Sequence, residues 1–179
     1  MAIIIFGITI VYLIAGIVYF GSKLKNYSHL KHTISELGET GSIYEKQVGF
    51  GFFLVIGMLL FIISILAREN FTAFVIAVSQ ALGYGLSAFF PCDRGSPLFG
   101  TWKQWVHNFA GVIGYGGSIF AILNASDDAL LAQFIPFKTA GYLITFCILL
   151  ACIPPNPVRG LAQRTGETLL FGCLLLLLL

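Results

Sequence analysis

The residues of this chain that could do chemistry fall into three short stretches: His32, Ser35 and Glu36; Asp93, Arg94 and Gly95; and Trp102, Lys103 and His107. A serine, two histidines and an aspartate are the types used in acyl transfer, where a hydroxyl attacks, an imidazole takes its proton and a carboxylate orients the ring. His32, Ser35, Asp93 and His107 are therefore the candidate catalytic residues. His32, Asp93 and His107 also supply three ligands, the number of an open catalytic zinc site; they fit it by type alone, and no metal is expected. No nucleophile elbow frames Ser35, and the chain has no HExxH, no phosphate-cradling glycine loop with its lysine and no dinucleotide fingerprint. Phosphoryl transfer and cofactor redox chemistry lack support, and no cofactor is expected.

Each candidate also has a plainer use. On a helix His32, Ser35 and Glu36 share a face, which the solvated side of an interfacial helix also requires. Asp93 lies between Pro91 and Pro97 with Gly95 beside it, a composition that forces a turn. An aspartate there accepts backbone N–H groups or pairs with Arg94 and Lys103. His107 begins an otherwise apolar, glycine-rich helix, as a functional group partnered by Asp93 or Glu36 or as a simple cap. Glu36, Arg94, Gly95, Trp102 and Lys103 are candidate contacts for a substrate or lipid headgroup, while Trp102 and Trp105 also suit interfacial anchoring. The four cysteines, Cys92, Cys147, Cys152 and Cys173, lack zinc or redox spacings, and Cys92 reads as a packing residue.

What must position these groups is a membrane bundle. Of 179 residues, 58% are hydrophobic and 10% charged, against roughly 45–50% and roughly 25% in soluble domains. That excludes a soluble enzyme, a secreted disulfide scaffold and a nucleic-acid-binding domain. At roughly 20 apolar residues per crossing, six spans are predicted, over 2–20, 48–67, 71–90, 105–123, 134–153 and 161–179. The fold class is all-α, a polytopic membrane bundle of six transmembrane helices forming a single integral-membrane domain over 1–179. The first span follows Met1 with no basic n-region or cleavage site, as in a retained helix. Between the first two spans, Leu24, Tyr27, Leu30, Ile34 and Leu37 recur at helical spacing and Gly38 supplies a stop, which predicts a short amphipathic interfacial helix. Small residues recur at every fourth position in the third span (Ala77, Ala81, Gly85) and the fourth (Ala110, Gly114, Ser118), a pattern that lets helices approach closely. The span interiors offer no ionisable midplane path, which disfavours a transporter; Arg164 and Glu167 occupy the first turns of the last span.

Net charge is only +2, but its distribution is lopsided. Lys23, Lys25, Lys31, Lys46, Arg94, Lys103, Arg159 and Arg164 share one side, leaving Arg68 and Lys138 with the termini. The positive-inside rule then places loops 21–47, 91–104 and 154–160 in the cytoplasm and both termini outside.

The segment His32-Thr33-Ile34-Ser35-Glu36-Leu37-Gly38, then Phe90-Pro91-Cys92-Asp93-Arg94-Gly95, then His107, resembles the domain-of-unknown-function 998 family of six-span prokaryotic membrane proteins, and distantly the Frag1/DRAM/Sfk1 group. The resemblance covers nearly the whole chain, including 160–167. It implies a prokaryotic inner-membrane protein in which His32, Ser35, Glu36, Asp93, Gly95 and His107 form one site, and it names no substrate. The remote group implies lipid handling or membrane trafficking, with the corresponding loops away from the cytosol, against the charge count, which is kept here. The leading expectation is a non-catalytic multi-pass protein that binds membrane lipids, joins a larger membrane assembly or self-associates through its small-residue faces, with no nucleic-acid partner. The alternative is an intramembrane hydrolase or lipid-modifying enzyme using a Ser/His/Asp or metal site at the loop-side membrane surface.

Overall fold

A computed structural model describes residues 1–126, 136–154 and 156–179. The predicted 124–133 loop from residue 127 onward, residues 134 and 135 of the fifth predicted span, and residue 155 of the last loop lie outside the described residues. Among the described residues the chain forms six long helices: α1 (Ala2–Lys23), α2 (Gln47–Leu66), α3 (Phe71–Phe89), α4 (Trp102–Leu123), α5 (Phe137–Ala151) and α6 (Arg159–Leu178). Five are long and apolar enough to cross a membrane, and α5 is a shorter apolar helix. The protein is a polytopic helical membrane bundle.

The helices close into a ring. Each packs on the next, α6 returns to α1, and α3 also meets α6 across the middle. Small residues set the closest approaches. A Cβ on Gly83 would stand 3.1 Å from Gly114 Cα, and one on Gly57 would stand 3.1 Å from Ala81 O and Gly85 N. The predicted stripes therefore serve packing within the chain, as expected where lipid gives no hydrophobic drive to helix association. α3 starts on an Asn70 cap whose side chain accepts from Ala73 N (3.1 Å) and donates to Leu177 O (3.1 Å), joining it to the end of α6. α2 and α4 each contain a π-helical stretch, Gln47–Phe53 and Val112–Gly116.

The amphipathic helix expected after the first span is replaced by turns over 24–34 and a 3₁₀ turn at Ser35–Gly38. Leu24 is already extended (φ −87°, ψ 121°) and Asn26 left-handed (φ 65°), so helical geometry does not continue past Lys23. The backbone groups a helix would have paired internally go elsewhere: Ile34 N donates to Gln163 Oε1 (2.7 Å), Leu30 O accepts from Leu161 N (3.0 Å), and Arg164 Nη1 donates to the carbonyls of His29 and His32 (2.9 Å each). The stripe residues Ile34 and Leu37 are buried in the protein core. Gly160 permits this docking, since a Cβ there would overlap His32 O and stand 2.7 Å from His29 O.

Candidate functional site

Ser35 and His107, 72 residues apart, meet at the loop end of the bundle. α3 ends just before Phe90, and the N–H three residues on, that of Asp93, goes to Gln104 Oε1, so the Phe90 carbonyl lies beyond the helical ladder. His107, one turn into α4 and buried, places Nδ1 2.8 Å from that carbonyl. A carbonyl only accepts, so Nδ1 carries the hydrogen. In the neutral ring Nε2 is then an acceptor, and it lies 3.0 Å from Ser35 Oγ. The serine hydroxyl donates to it. The backbone carbonyl thus fixes ring orientation and tautomer, two roles a carboxylate plays in a catalytic triad.

Ser35 is held by its neighbours. Its carbonyl accepts from Cys92 Sγ (3.5 Å), and Ile34 is tied to Gln163. Glu36 is buried, accepting from Thr33 N (2.8 Å) and Thr33 Oγ1 (2.9 Å) and lying 3.6 Å from Arg159 Nη1. Arg159, equally buried, donates Nε to Ala151 O (3.2 Å), Nη1 to Gly95 O (2.9 Å) and Nη2 to Ser96 O (3.0 Å). One guanidinium therefore joins the first loop, the second loop and the end of α5. Burial, then Glu39 and Glu36, push the Cys92 thiol well above its usual range, so Cys92 is a packing group and a weak donor rather than a thiolate.

The other sequence candidates lie apart from this pair. Asp93 accepts from Thr101 N (2.7 Å) and Thr101 Oγ1 (2.8 Å), while its own N–H donates to Gln104 Oε1 (2.7 Å). It organises the second loop over the start of α4 and pairs with neither Arg94 nor Lys103, so the expected triad lacks its aspartate. His32 Nδ1 accepts from Ser28 N (2.9 Å), and its ring stacks on Tyr27. The local His32–Ser35–Glu36 face of a helix does not form. With both Asp93 oxygens on Thr101 and both His107 nitrogens engaged, the three-ligand zinc set is not assembled. Among the described residues no group of three or more His, Cys, Asp or Glu side chains is placed to hold a metal ion. Arg94 is exposed and reaches Glu39 at 4.0 Å. Gly95, at φ 74°, donates its N–H to Glu39 Oε2 (2.7 Å). Trp102 is exposed, edge-on to Phe90, and Lys103 is half-exposed on α4.

Behind the Ser35–His107 pair lies a cavity of about 430 Å³. Its walls are mainly apolar, but Gln80, Tyr84, Tyr115, Gln163 and Glu167 also line it. Glu167 stands eight residues into α6, about 12 Å at 1.5 Å per residue. Tyr115 OH donates to it at 2.6 Å, and Tyr84 OH lies 3.2 Å from both its oxygens. Gln163 Nε2 donates in turn to Tyr115 OH (2.9 Å). Gln80 Nε2 donates to Gly114 O (3.0 Å) and Ser118 Oγ (3.2 Å), within and beside the π stretch of α4. These residues were absent from the sequence candidates. The available signal was Glu167 itself, since an ionisable residue inside a span faces the bundle interior by default.

The cavity is bordered by exposed side chains at the loop end, Leu98 and Cys152, and also between α4 and α5. α4 meets α5 mainly through Gly117–Leu123, leaving the loop-side halves of the two helices apart. Val112 and Leu149 line the cavity there and are both more than 60% exposed. A separate apolar groove of about 380 Å³ runs between α1 and α6, and Ile34 and Glu167 line both spaces.

The family model described as "Protein of unknown function (DUF998)" matches residues 7–179. No curated protein and no solved structure matches the chain.

Proposed function

This chain belongs to the DUF998 family, whose description names no activity, and from that premise we propose that it binds a membrane lipid in its central cavity. The observation that carries this reading is the gap between the loop-side halves of α4 and α5, where the cavity-lining Val112 and Leu149 are exposed. On a membrane-spanning bundle such a gap faces acyl chains. The interior suits an amphiphile: apolar walls for a chain, with a few convergent polar groups that fix orientation. The basic loops support a cytoplasmic loop side, which puts the gap in the cytoplasmic leaflet of a prokaryotic inner membrane.

Native mass spectrometry of protein extracted gently from membranes tests the reading. The wild type is expected to carry a lipid adduct. Ser87→Trp, which directs bulk into the cavity from α3, is expected to lose the adduct while keeping its thermal transition. Consistent recovery of the wild type as a lone, lipid-free monomer overturns the proposal.

A further inference from the structure

The Ser35–His107 pair does more than the tethering that a loop-to-helix hydrogen bond would explain. The first loop is already tied to the second by Thr40 N to Cys92 O (2.8 Å), Gly95 N to Glu39 Oε2 (2.7 Å) and Cys92 Sγ to Ser35 O (3.5 Å). The hydroxyl is not needed for that purpose. Ser35 is only half-buried and lines the central cavity together with His107, so its oxygen borders the space the lipid would fill. The ring is oriented by a carbonyl that leaves Nε2 as acceptor, and the serine donates to that nitrogen. These are the geometric requirements of a nucleophile and its base.

We propose that Ser35 is the nucleophile, and His107 the general base, of an acyl-transfer reaction on an ester lipid held in the central cavity. The inference rests on the lipid-binding reading for its substrate class. Ser35 Oγ bonds to the ester carbonyl carbon as its proton passes to His107 Nε2. The tetrahedral adduct collapses with cleavage of the ester C–O bond, and Nε2 returns the proton to the leaving oxygen. An alcohol departs and the acyl group stays on Ser35. Water then attacks the acyl carbon, giving its proton to Nε2; the bond to Ser35 Oγ breaks, that oxygen recovers the proton, and a fatty acid leaves. The Phe90 carbonyl holds the ring but bears no full charge to offset the imidazolium, which favours slow turnover.

The test is labelling of the intact protein in lipid nanodiscs with an alkyl fluorophosphonate. Ser35 Oγ would displace fluoride at phosphorus, leaving a covalent adduct located by peptide mass spectrometry. Labelling at Ser35 is expected in the wild type and absent in Ser35→Ala. His107→Asn is the informative variant: its amide can still donate to the Phe90 carbonyl, yet nothing replaces Nε2. Its labelling is expected to fall by at least ~100-fold, the lower range for loss of a general base. His107→Gln provides a second base-free variant should the asparagine form fold poorly. A wild type that retains lipid by native mass spectrometry but stays unlabelled overturns the nucleophile and leaves the lipid reading standing. A lipid-free wild type that labels at Ser35 does the reverse. Wild-type labelling rates in both folded histidine variants overturn the role of His107.

Discussion

Replacing one member of the Glu36–Arg159 pair should loosen the whole loop end of the bundle. Glu36 Oε1 and Arg159 Nη1 lie 3.6 Å apart, with both side chains less than one-tenth exposed. In Arg159→Met the carboxylate keeps its two Thr33 donors but loses its counter-charge. The carbonyls of Gly95 and Ser96 lose the guanidinium too, yet they sit in a largely exposed loop where water can replace it, so the stranded charge dominates. Removing one partner of a buried pair costs about 3–5 kcal/mol. At about 2–4 °C per kcal/mol for a chain of this size, the thermal transition should fall by about 6–20 °C. Glu36→Gln leaves the converse defect, a buried guanidinium with only carbonyl partners, and should also be destabilising. The double variant Glu36→Gln/Arg159→Met removes both charges and should be more stable than the sum of the single losses predicts, by about 0.5–3 kcal/mol. Thermal unfolding followed by tryptophan fluorescence, in one detergent at one concentration, closes the cycle. Single losses below about 1 kcal/mol, or strict additivity in the double variant, would refute the assignment of this pair as the clasp.

Two further perturbations test how the first loop docks on α6. Gly160→Ala should destabilise by about 1–3 kcal/mol through overlap with the carbonyls of His29 and His32, whereas helix propensity alone predicts a gain of about 1 kcal/mol; the sign of the Tm shift decides between them. Acidification should also weaken the docking: burial, and secondarily Arg164, lower the pKa of His29 below its usual 6.5, and its Nδ1 faces Arg164 Nη2 at 3.2 Å. The docked loop thus binds fewer protons than the free loop, so stability is full above about pH 6.5 and is lost as pH falls through that value toward the lowered one. His29 is exposed, so the effect should be modest, visible as a wild-type fall in Tm between pH 7.5 and 5.5 that His29→Gln lacks.

The bundle was legible because span length and composition are set locally by the bilayer, and the small-residue stripes were legible because close helix approach demands them. Ser35 and His107 were legible as types. Their meeting was not, because it depends on where a 23-residue connection between α1 and α2 docks, and no local period encodes that. The helical period of Leu24, Tyr27, Leu30, Ile34 and Leu37 misdirected the reading for a physical reason. It recorded which side chains are apolar, while the backbone partners came from Gln163, Leu161 and Arg164, more than 120 residues away. Asp93 was a fair candidate by type and a turn residue by context, and Thr101 supplies both of its acceptor contacts. The inner polar group does not stand out in the sequence because the last span reads as a leucine run with a polar beginning. Glu167 is where that beginning ends.

The polar residues divide by what their hydrogen bonds accomplish. Arg159 and Arg164 direct their contacts at loop backbone, joining segments far apart in sequence, and Asp93 ties the second loop to the start of α4. Glu167, Tyr84 and Tyr115 join no loop. Among the described residues Glu167 forms no ion pair; it takes tyrosine hydroxyls at a depth where an apolar residue would carry no desolvation cost. The first set thus joins loops, and the second joins α6 to α3 and α4 around the cavity. A lipid whose polar group exchanges hydrogen bonds with Glu167 and the two tyrosines, and whose ester reaches Ser35, would account for both the buried acid and the cavity beside it.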